Sequence, residues 1–294
     1  MNVKPKILVT GSNGQLGKEL KELSYSFKQV EFVFLSKEDM PVNNFELVRV
    51  FFDSIKPTYC INCAAYTAVD KAESERELAM QINGEAVGVL AAICNENKVK
   101  FIHISTDYVF NGEATSPYTE NFPTDPVNFY GASKLDGERQ AMQFNPGSVI
   151  IRTSWVYSSF GKNFVRTMIR LMSEKDSISV VNDQIGSPTY AADLAEIILK
   201  IIADCELQTA NWKAGIYNYS NEGIISWFEF AEEIKKIIKC PCDIKPIPTS
   251  AYPTPAKRPM YSVLDKTKIQ QTFGIKLKDW KKSLQECLSK MPVE

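Results

Sequence analysis

The chain has 294 residues, 44% hydrophobic and 23% charged, with a formal net charge of -1. That length can bury a sizeable core, in one large domain or in one domain with a smaller companion. The near-neutral balance gives no global electrostatic reason to expect nucleic acid or an anionic membrane as partner, so an anionic ligand has to be held locally.

The N-terminal residues enter directly on "PKILVTGSNGQLG", without a basic segment followed by an apolar signal core, and no apolar run approaches a membrane span. A cytoplasmic protein is the expectation. From there short apolar runs alternate with amphipathic segments: "KILVTG", "GQLGKELKELSY", "VEFVFLS", "NFELVRVFFDSIK", "YCINCAA", "ELAMQINGEAVGVLAAICNENK", "KFIHIST", "YGASKLDGERQAM" and "SVIIRTSWVY". This alternation predicts an α/β fold, a Rossmann-like doubly wound parallel sheet covered by helices on both faces. Ligands of such sheets bind beyond the carboxyl ends of the strands.

The first turn, "LVTGSNGQLGKEL", carries Gly11, Gly14 and Gly17 as G-x-x-G-x-x-G between a strand and a helix, with Asn13 inside the loop. Small residues there permit a tight turn and close backbone approach, and the helix N-terminus offers free N–H groups to a pyrophosphate. The spacing is typical of extended short-chain dehydrogenase/reductases. An acidic residue expected about twenty positions on, for the adenosine ribose, is replaced by "FLSKEDM". There Ser36 and Lys37 would tolerate a ribose phosphate, and Asp39 and Met40 are candidates for the adenine side. The cofactor reading is therefore NADPH, or use of both NADPH and NADH.

Cys60 and Cys63 form a C-x-x-C within strand-like "TYCINCAAY", where packing is the expected role, and seven scattered cysteines argue for reduced thiols. Cys240 and Cys242 have the wrong gap for zinc, and the single histidine, His103, lies within "KFIHIST". With no G-x-S-x-G and one histidine, a Ser-His-Asp hydrolase is excluded, and acid–base work falls to Tyr, Lys, Asp, Glu or Cys.

The strand "KFIHISTDYVFNG" ends in Ser105, Thr106, Asp107 and Tyr108, and downstream Tyr130 and Lys134 stand four apart on a helix. At that spacing both side chains share one face. A neighbouring ammonium would lower the tyrosine pKa from about 10 toward working pH. Behind a phosphate loop, the arrangement reads as hydride transfer at a carbonyl. Thr106 holds the substrate oxygen, Tyr130 protonates it, and Lys134 reaches the nicotinamide ribose.

The rhythm then changes to a helix "NFVRTMIRLMSEK", a strand-like "SISVV", a Gly/Pro-marked loop "NDQIGSPTYAADLAEIILKIIAD", a helix "SWFEFAEEIKKIIK", a Pro-rich stretch "CPCDIKPIPTSAYPTPAKRPMYS" expected as extended surface chain, and a terminal helix. The expected division is an NAD(P)-binding Rossmann domain over 1–155, with 190–220 packing back onto it. A smaller substrate-binding region comprises 156–189 and 221–294.

Taken in order, "GSNGQLG", "INCAAYTAVDKAE", "ISTDYVFNG", "YGASKLDGE", "IRTSWVY", "GSPTYAADLA", "GIYNYSNEG" with "SWFEFA", and "KRPMYSVLD" resemble the dTDP-4-dehydrorhamnose reductases nearly end to end. The resemblance implies reduction of the keto group of dTDP-4-dehydro-L-rhamnose by NADPH or NADH, giving dTDP-L-rhamnose for cell-surface polysaccharide. It implies that Gln15, Leu16 and Gly17 contact the phosphates, Asp39 and Met40 the adenine side, and Ala64, Ala65 and Tyr66 the cofactor. It makes Thr106, Tyr130 and Lys134 the catalytic set, Thr106 and Asp107 substrate contacts, and Trp155 a substrate-stacking residue, with Arg258 near the nucleotide-sugar phosphates. A homodimer is compatible with it. Some relatives use a metal at a dimer interface, but no compact ligand cluster in the sequence supports one.

Two departures stand out: Ser36 where some relatives have an acidic residue, and Asn218 where a histidine is common. Two rival readings remain. An epimerase or dehydratase could use the same scaffold, although Tyr108 after Asp107, not Glu, disfavours dehydration. A non-catalytic binding subunit is the other, and it could dispense with Thr106, Tyr130 and Lys134.

Overall fold

The computed structural model describes residues 4–206 and 211–291; residues 1–3, 207–210 and 292–294 of the two expected regions lie outside them. Strands β1 (Lys6–Thr10), β2 (Glu31–Leu35), β3 (Tyr59–Asn62), β4 (Lys100–Thr106) and β5 (Val149–Thr153) join the strand Gly215–Asn218 in one sheet. Its order is Gly215–Asn218, β5, β4, β3, β1, β2, with every neighbouring pair parallel. After β2 the chain crosses back over β1 through α2 (Phe45–Ile55) to reach β3. The strand order therefore reverses between β1 and β3, and such a reversal leaves a crevice beyond the carboxyl ends.

Both faces of the strands are apolar because both are covered. Ile7, Val9, Tyr59, Ile61, Ile102, Val149 and Ile151 point into a layer with α1 (Gln15–Ser24) and the helix Ala191–Glu206. Leu8, Cys60, Phe101 and Ile150 point the other way, into a layer with α2 and the helical stretch Arg76–Glu96. That stretch is long and apolar enough by composition to cross a membrane, contrary to the sequence expectation. Its Val87, Leu90, Ala91 and Cys94 are spent in the core.

A third apolar cluster, including Val165, Met168, Phe230, Ile234 and Leu284, lies among the helices Phe164–Glu174, Trp227–Ile238 and Trp280–Ser289. Beside it Ser177–Val181 pairs in parallel with Asp243–Ile247.

Two expectations are corrected here. The segment read as a loop through "AADLAEIILKIIAD" is helical over Ala191–Glu206, with Leu194, Ile198, Ile201 and Ile202 buried at helical spacing. Gly186 and Pro188 mark only its irregular start. The Pro-rich stretch is not simply extended surface chain, since its first part is the paired strand Asp243–Ile247. Pro246 is tolerated in a two-stranded pair, where one side of each strand has no ladder to supply.

Candidate active site

The crevice between the loops after β1 and β3 continues into a cleft of ≈ 1010 Å³. Gly11 sets its floor. Its φ is +62°, and a Cβ there would lie 2.7 Å from the Ala64 backbone N and Cα, so the two loops touch at a point only glycine fills. Gly17 makes the same allowance inside the turn, where a Cβ would meet Ser12 Cα at 2.6 Å. Gly14 caps α1 with no side-chain hydrogen bond, so the first N–H groups of the helix face the cleft. These features fit a dinucleotide pyrophosphate. Gln15 lines the cleft and accepts a hydrogen bond from Asn163 Nδ2 at 2.9 Å. Leu16 lines the cleft and is also part of the core beneath it.

At the adenosine end Met40 lines the cleft, but Ser36 and Asp39 do not. Those two are spent on each other: the Ser36 N–H donates to Asp39 Oδ2 at 2.9 Å, and the Asp39 N–H donates to Ser36 Oγ at 3.3 Å. The bond from the Ser36 backbone holds the Asp39 carboxyl below its usual range. The side chains presented to the cleft are Lys37 and Glu38, and Glu38 accepts from Asn13 Nδ2 at 3.3 Å.

Ala64, Ala65 and Tyr66 line the opposite wall. Buried Asn83, in a π-helical turn, fixes this loop by accepting from the Tyr66 N–H at 2.9 Å and donating to the Tyr66 carbonyl at 3.0 Å. Sequence reasoning missed Asn83, although a polar residue amid an apolar helix was a signal for it.

The strand β4 delivers Thr106 and Asp107, and the helix Phe129–Phe144 delivers Tyr130 and Lys134, all four into the cleft. Asn128 caps that helix, accepting from the Gly131 N–H at 2.8 Å. The Tyr130 phenol is pushed up to about 12, chiefly by burial, with the neighbouring Thr106 hydroxyl opposing the rise and the Asp107 charge adding to it. The expected depression by Lys134 is therefore absent: burial dominates, and the lysine donates to the Ile104 carbonyl at 2.6 Å instead. Burial drives Lys134 itself down to about 8, with Glu138 and Cys63 opposing. Asp107 is also pushed up by burial, to about 7; Thr106 donates to its Oδ1 at 3.0 Å, while buried Oδ2 has no partner among the described residues.

Trp155 sits at φ +47°, a conformation costly for a bulky side chain. Its ring lies against Trp227, with centroids 3.6 Å apart and planes 11° apart, and both indoles line the cleft. Trp227, Glu38 and Asn163 were not singled out from the sequence, because each is brought in by tertiary packing, whereas Lys37, read there as tolerating a ribose phosphate, does line the cleft. Arg258 does not line the cleft. Its fork holds Asp70 at 2.8 and 3.0 Å. Asn218 is buried and donates to the Tyr118 carbonyl at 2.8 Å. Among the described residues no group of three or more His, Cys, Asp or Glu is placed to hold a metal.

Residues 5–293 match the family model described as RmlD substrate binding domain. The chain is 42% identical over 293 residues to a dTDP-4-dehydrorhamnose reductase of Burkholderia thailandensis, covering 96% of this chain and 98% of that one. It is 40% identical over 285 residues to one of Aggregatibacter actinomycetemcomitans, covering 95% and 97%. The crystal structure of the Bacillus anthracis dTDP-4-dehydrorhamnose reductase in complex with NADP superimposes with a TM-score of 0.93 at 37% identity, covering 98% and 100%.

Proposed function

The chain belongs to the RmlD substrate binding domain family, and from that premise we propose that it reduces the C4 keto group of dTDP-4-dehydro-beta-L-rhamnose with NADPH or NADH. The product is dTDP-L-rhamnose, for cell-surface polysaccharide synthesis. The observation that carries this reading is the convergence of Thr106, Tyr130 and Lys134 on one cleft with the glycine loop.

When bound, the nicotinamide supplies the hydride that C4 receives. Gly11, Gly14 and the start of α1 hold the phosphates, with Asn13, Gln15, Leu16 and Gly17 completing the turn. Met40 and the Ala64–Tyr66 loop flank the nucleoside parts. Lys37 and Glu38, a cation beside a carboxylate, offer partners for a ribose phosphate and for free ribose hydroxyls respectively. Ser36 and Asp39 act by shaping that turn.

Tyr130 is the proton donor. With its pKa near 12 it is neutral at working pH, so it has a proton to give to the oxygen as the carbonyl becomes an alkoxide. Thr106, whose hydroxyl donates to Asp107 Oδ1 at 3.0 Å and which lines the same cleft as Tyr130, orients that oxygen. The orphaned Asp107 Oδ2 is an acceptor for a sugar hydroxyl. Trp155 and Trp227 present aromatic surface to the sugar. The role in phosphate binding assigned to Arg258 requires it to exchange Asp70 for the diphosphate. In this reading residues 1–155 with 190–220 serve the cofactor, and 156–189 with 221–294 serve the sugar. Both reactants are water-soluble nucleotides, which fits a cytoplasmic enzyme, and no catalytic group need come from a second copy.

The test is to mix purified protein, NADPH or NADH, and enzymatically made dTDP-4-dehydro-L-rhamnose, and to follow loss of reduced-nicotinamide absorbance. Protein that binds both cofactors yet consumes neither in a sugar-dependent way refutes the reading. Tyr130→Phe should keep cofactor affinity and lose about 10²–10⁴-fold in turnover; normal turnover would remove Tyr130 from the role.

A further inference from the structure

His103, the chain's single histidine, is wholly buried in β4 and unused by the chemistry above. It lies at the middle of β4 in a cross-strand row with Asn62 and Thr10, the last residues of β3 and β1. The row fixes where its proton sits. The Ala64 backbone N–H donates to Asn62 Oδ1 at 3.2 Å, and the Thr10 hydroxyl donates to the same atom at 2.6 Å. A backbone N–H cannot accept, so that end of the amide is its oxygen and the other end is its NH2. The NH2 nitrogen lies 3.1 Å from His103 Nδ1, which makes Nδ1 the unprotonated ring nitrogen.

A neutral ring then carries its hydrogen on Nε2, and Nε2 lies 3.3 Å from Lys134 Nζ. An amine can accept that hydrogen through its lone pair. An ammonium has no lone pair and would meet the Nε2–H donor against donor.

We propose that His103, locked by Asn62 as the Nε2–H tautomer, is a positioning residue that favours the amine form of Lys134 and so lets the lysine give up and regain a proton near working pH. Burial and the lysine's charge both hold the ring neutral, its pKa far below the ordinary 6.5. The other groups facing Lys134 are Glu138, from its own helix and held by Arg152, and Cys63, from the loop after β3; both favour the ammonium. Burial and the Nε2–H oppose them. The ring of Phe101 stacks on His103 and carries no charge.

The proposal deepens the reductase reading, and rests on it only for the kinetic arm of its test. With one histidine, ¹⁵N-labelled protein gives one imidazole spectrum. Long-range ¹H–¹⁵N correlation is expected to show pyridine-type Nδ1 and pyrrole-type Nε2, unchanged from about pH 6 to about pH 9. An Nδ1–H ring, or an imidazolium at neutral pH, overturns the proposal. This arm needs no substrate, so failure of the reductase assay leaves it standing.

In Asn62→Asp the carboxylate only accepts, so the ring should invert to Nδ1–H and present Nε2 as acceptor to the ammonium. In the reductase reading Lys134 reaches the nicotinamide ribose and is, through it, the source of the proton returned to Tyr130, so kcat/KM for the nucleotide sugar falls as pH rises past the lysine pKa. In the variant that alkaline limb should move up by about one pH unit or more. A ring that inverts without moving the limb, or a limb that moves while the ring keeps Nε2–H, overturns the role assigned to His103.

Discussion

Asp107→Asn should stabilise the protein by an amount that depends on pH. The Asp107 carboxyl is buried, its Oδ1 accepts from Thr106, and its Oδ2 has no partner among the described residues. Burial raises its pKa from 3.8 to about 7, against the lowering pull of the nearby Ser262 and Thr106 hydroxyls and backbone. Between those values the folded chain keeps a proton that the unfolded chain has released. Stability from this group is therefore full at the acid end, and is lost as pH rises through the window up to the folded value. A difference of about three pH units corresponds to about 4 kcal/mol at about 1.4 kcal/mol per unit.

Asparagine keeps the acceptor for Thr106 and carries no charge, so it escapes this loss. Urea denaturation of both proteins without cofactor, from about pH 4.5 to about pH 8.5, should show the variant's advantage growing from about 1 to about 4 kcal/mol. An advantage that is flat with pH, or a wild type that is the more stable at the alkaline end, would refute the reasoning. The same carboxylate is assigned to the sugar, so the stabilised variant should reduce it poorly.

Gly11→Ala places a methyl against the Ala64 backbone at φ +62°. It should cost at least about 1–2 kcal/mol of strain and weaken NADPH binding about ten-fold or more in a fluorescence titration; undiminished affinity would move the phosphate seat elsewhere. Arg152→Met leaves Glu138 buried without the ion pair it now makes at 2.7 Å. A loss of about 3–5 kcal/mol in urea denaturation is expected, and no loss would mean that the pair is not a desolvated one. Trp227→Ala removes the support under the Trp155 ring. It should raise KM for the nucleotide sugar about three- to ten-fold and leave KM for NADPH unchanged, matching the strength of an aromatic pair; equal effects on both would break the assignment.

The parts of this molecule that were legible in the sequence are those governed by local rules. The strands around Ile7, Ile61, Ile102 and Ile150 announce themselves as apolar runs because helices cover both faces of the sheet. The glycine turn is legible because Gly11 answers a backbone constraint, and Tyr130 with Lys134 because helical spacing is local. The rest depends on how the chain closes on itself, at long range and within its turns. Asp70 takes the fork of Arg258 from 188 positions away, which no local pattern reveals. Ser36 and Asp39 form a closed reciprocal turn, so the neighbours Lys37 and Glu38 face the cleft instead. The raised Tyr130 pKa was misjudged because spacing reports proximity to Lys134 but not the burial that outweighs it.

The paired indoles of Trp155 and Trp227 also make the cleft observable without a label. Rings in face-to-face contact share electronic excitation, so their emission responds to whatever lies over them or pries them apart. The chain has four tryptophans. Trp280 packs against Phe230, and Trp212 against Tyr59 at the amino end of β3. Those two provide a steady background, and the other pair is an optical gauge of occupancy built into the wall of the site.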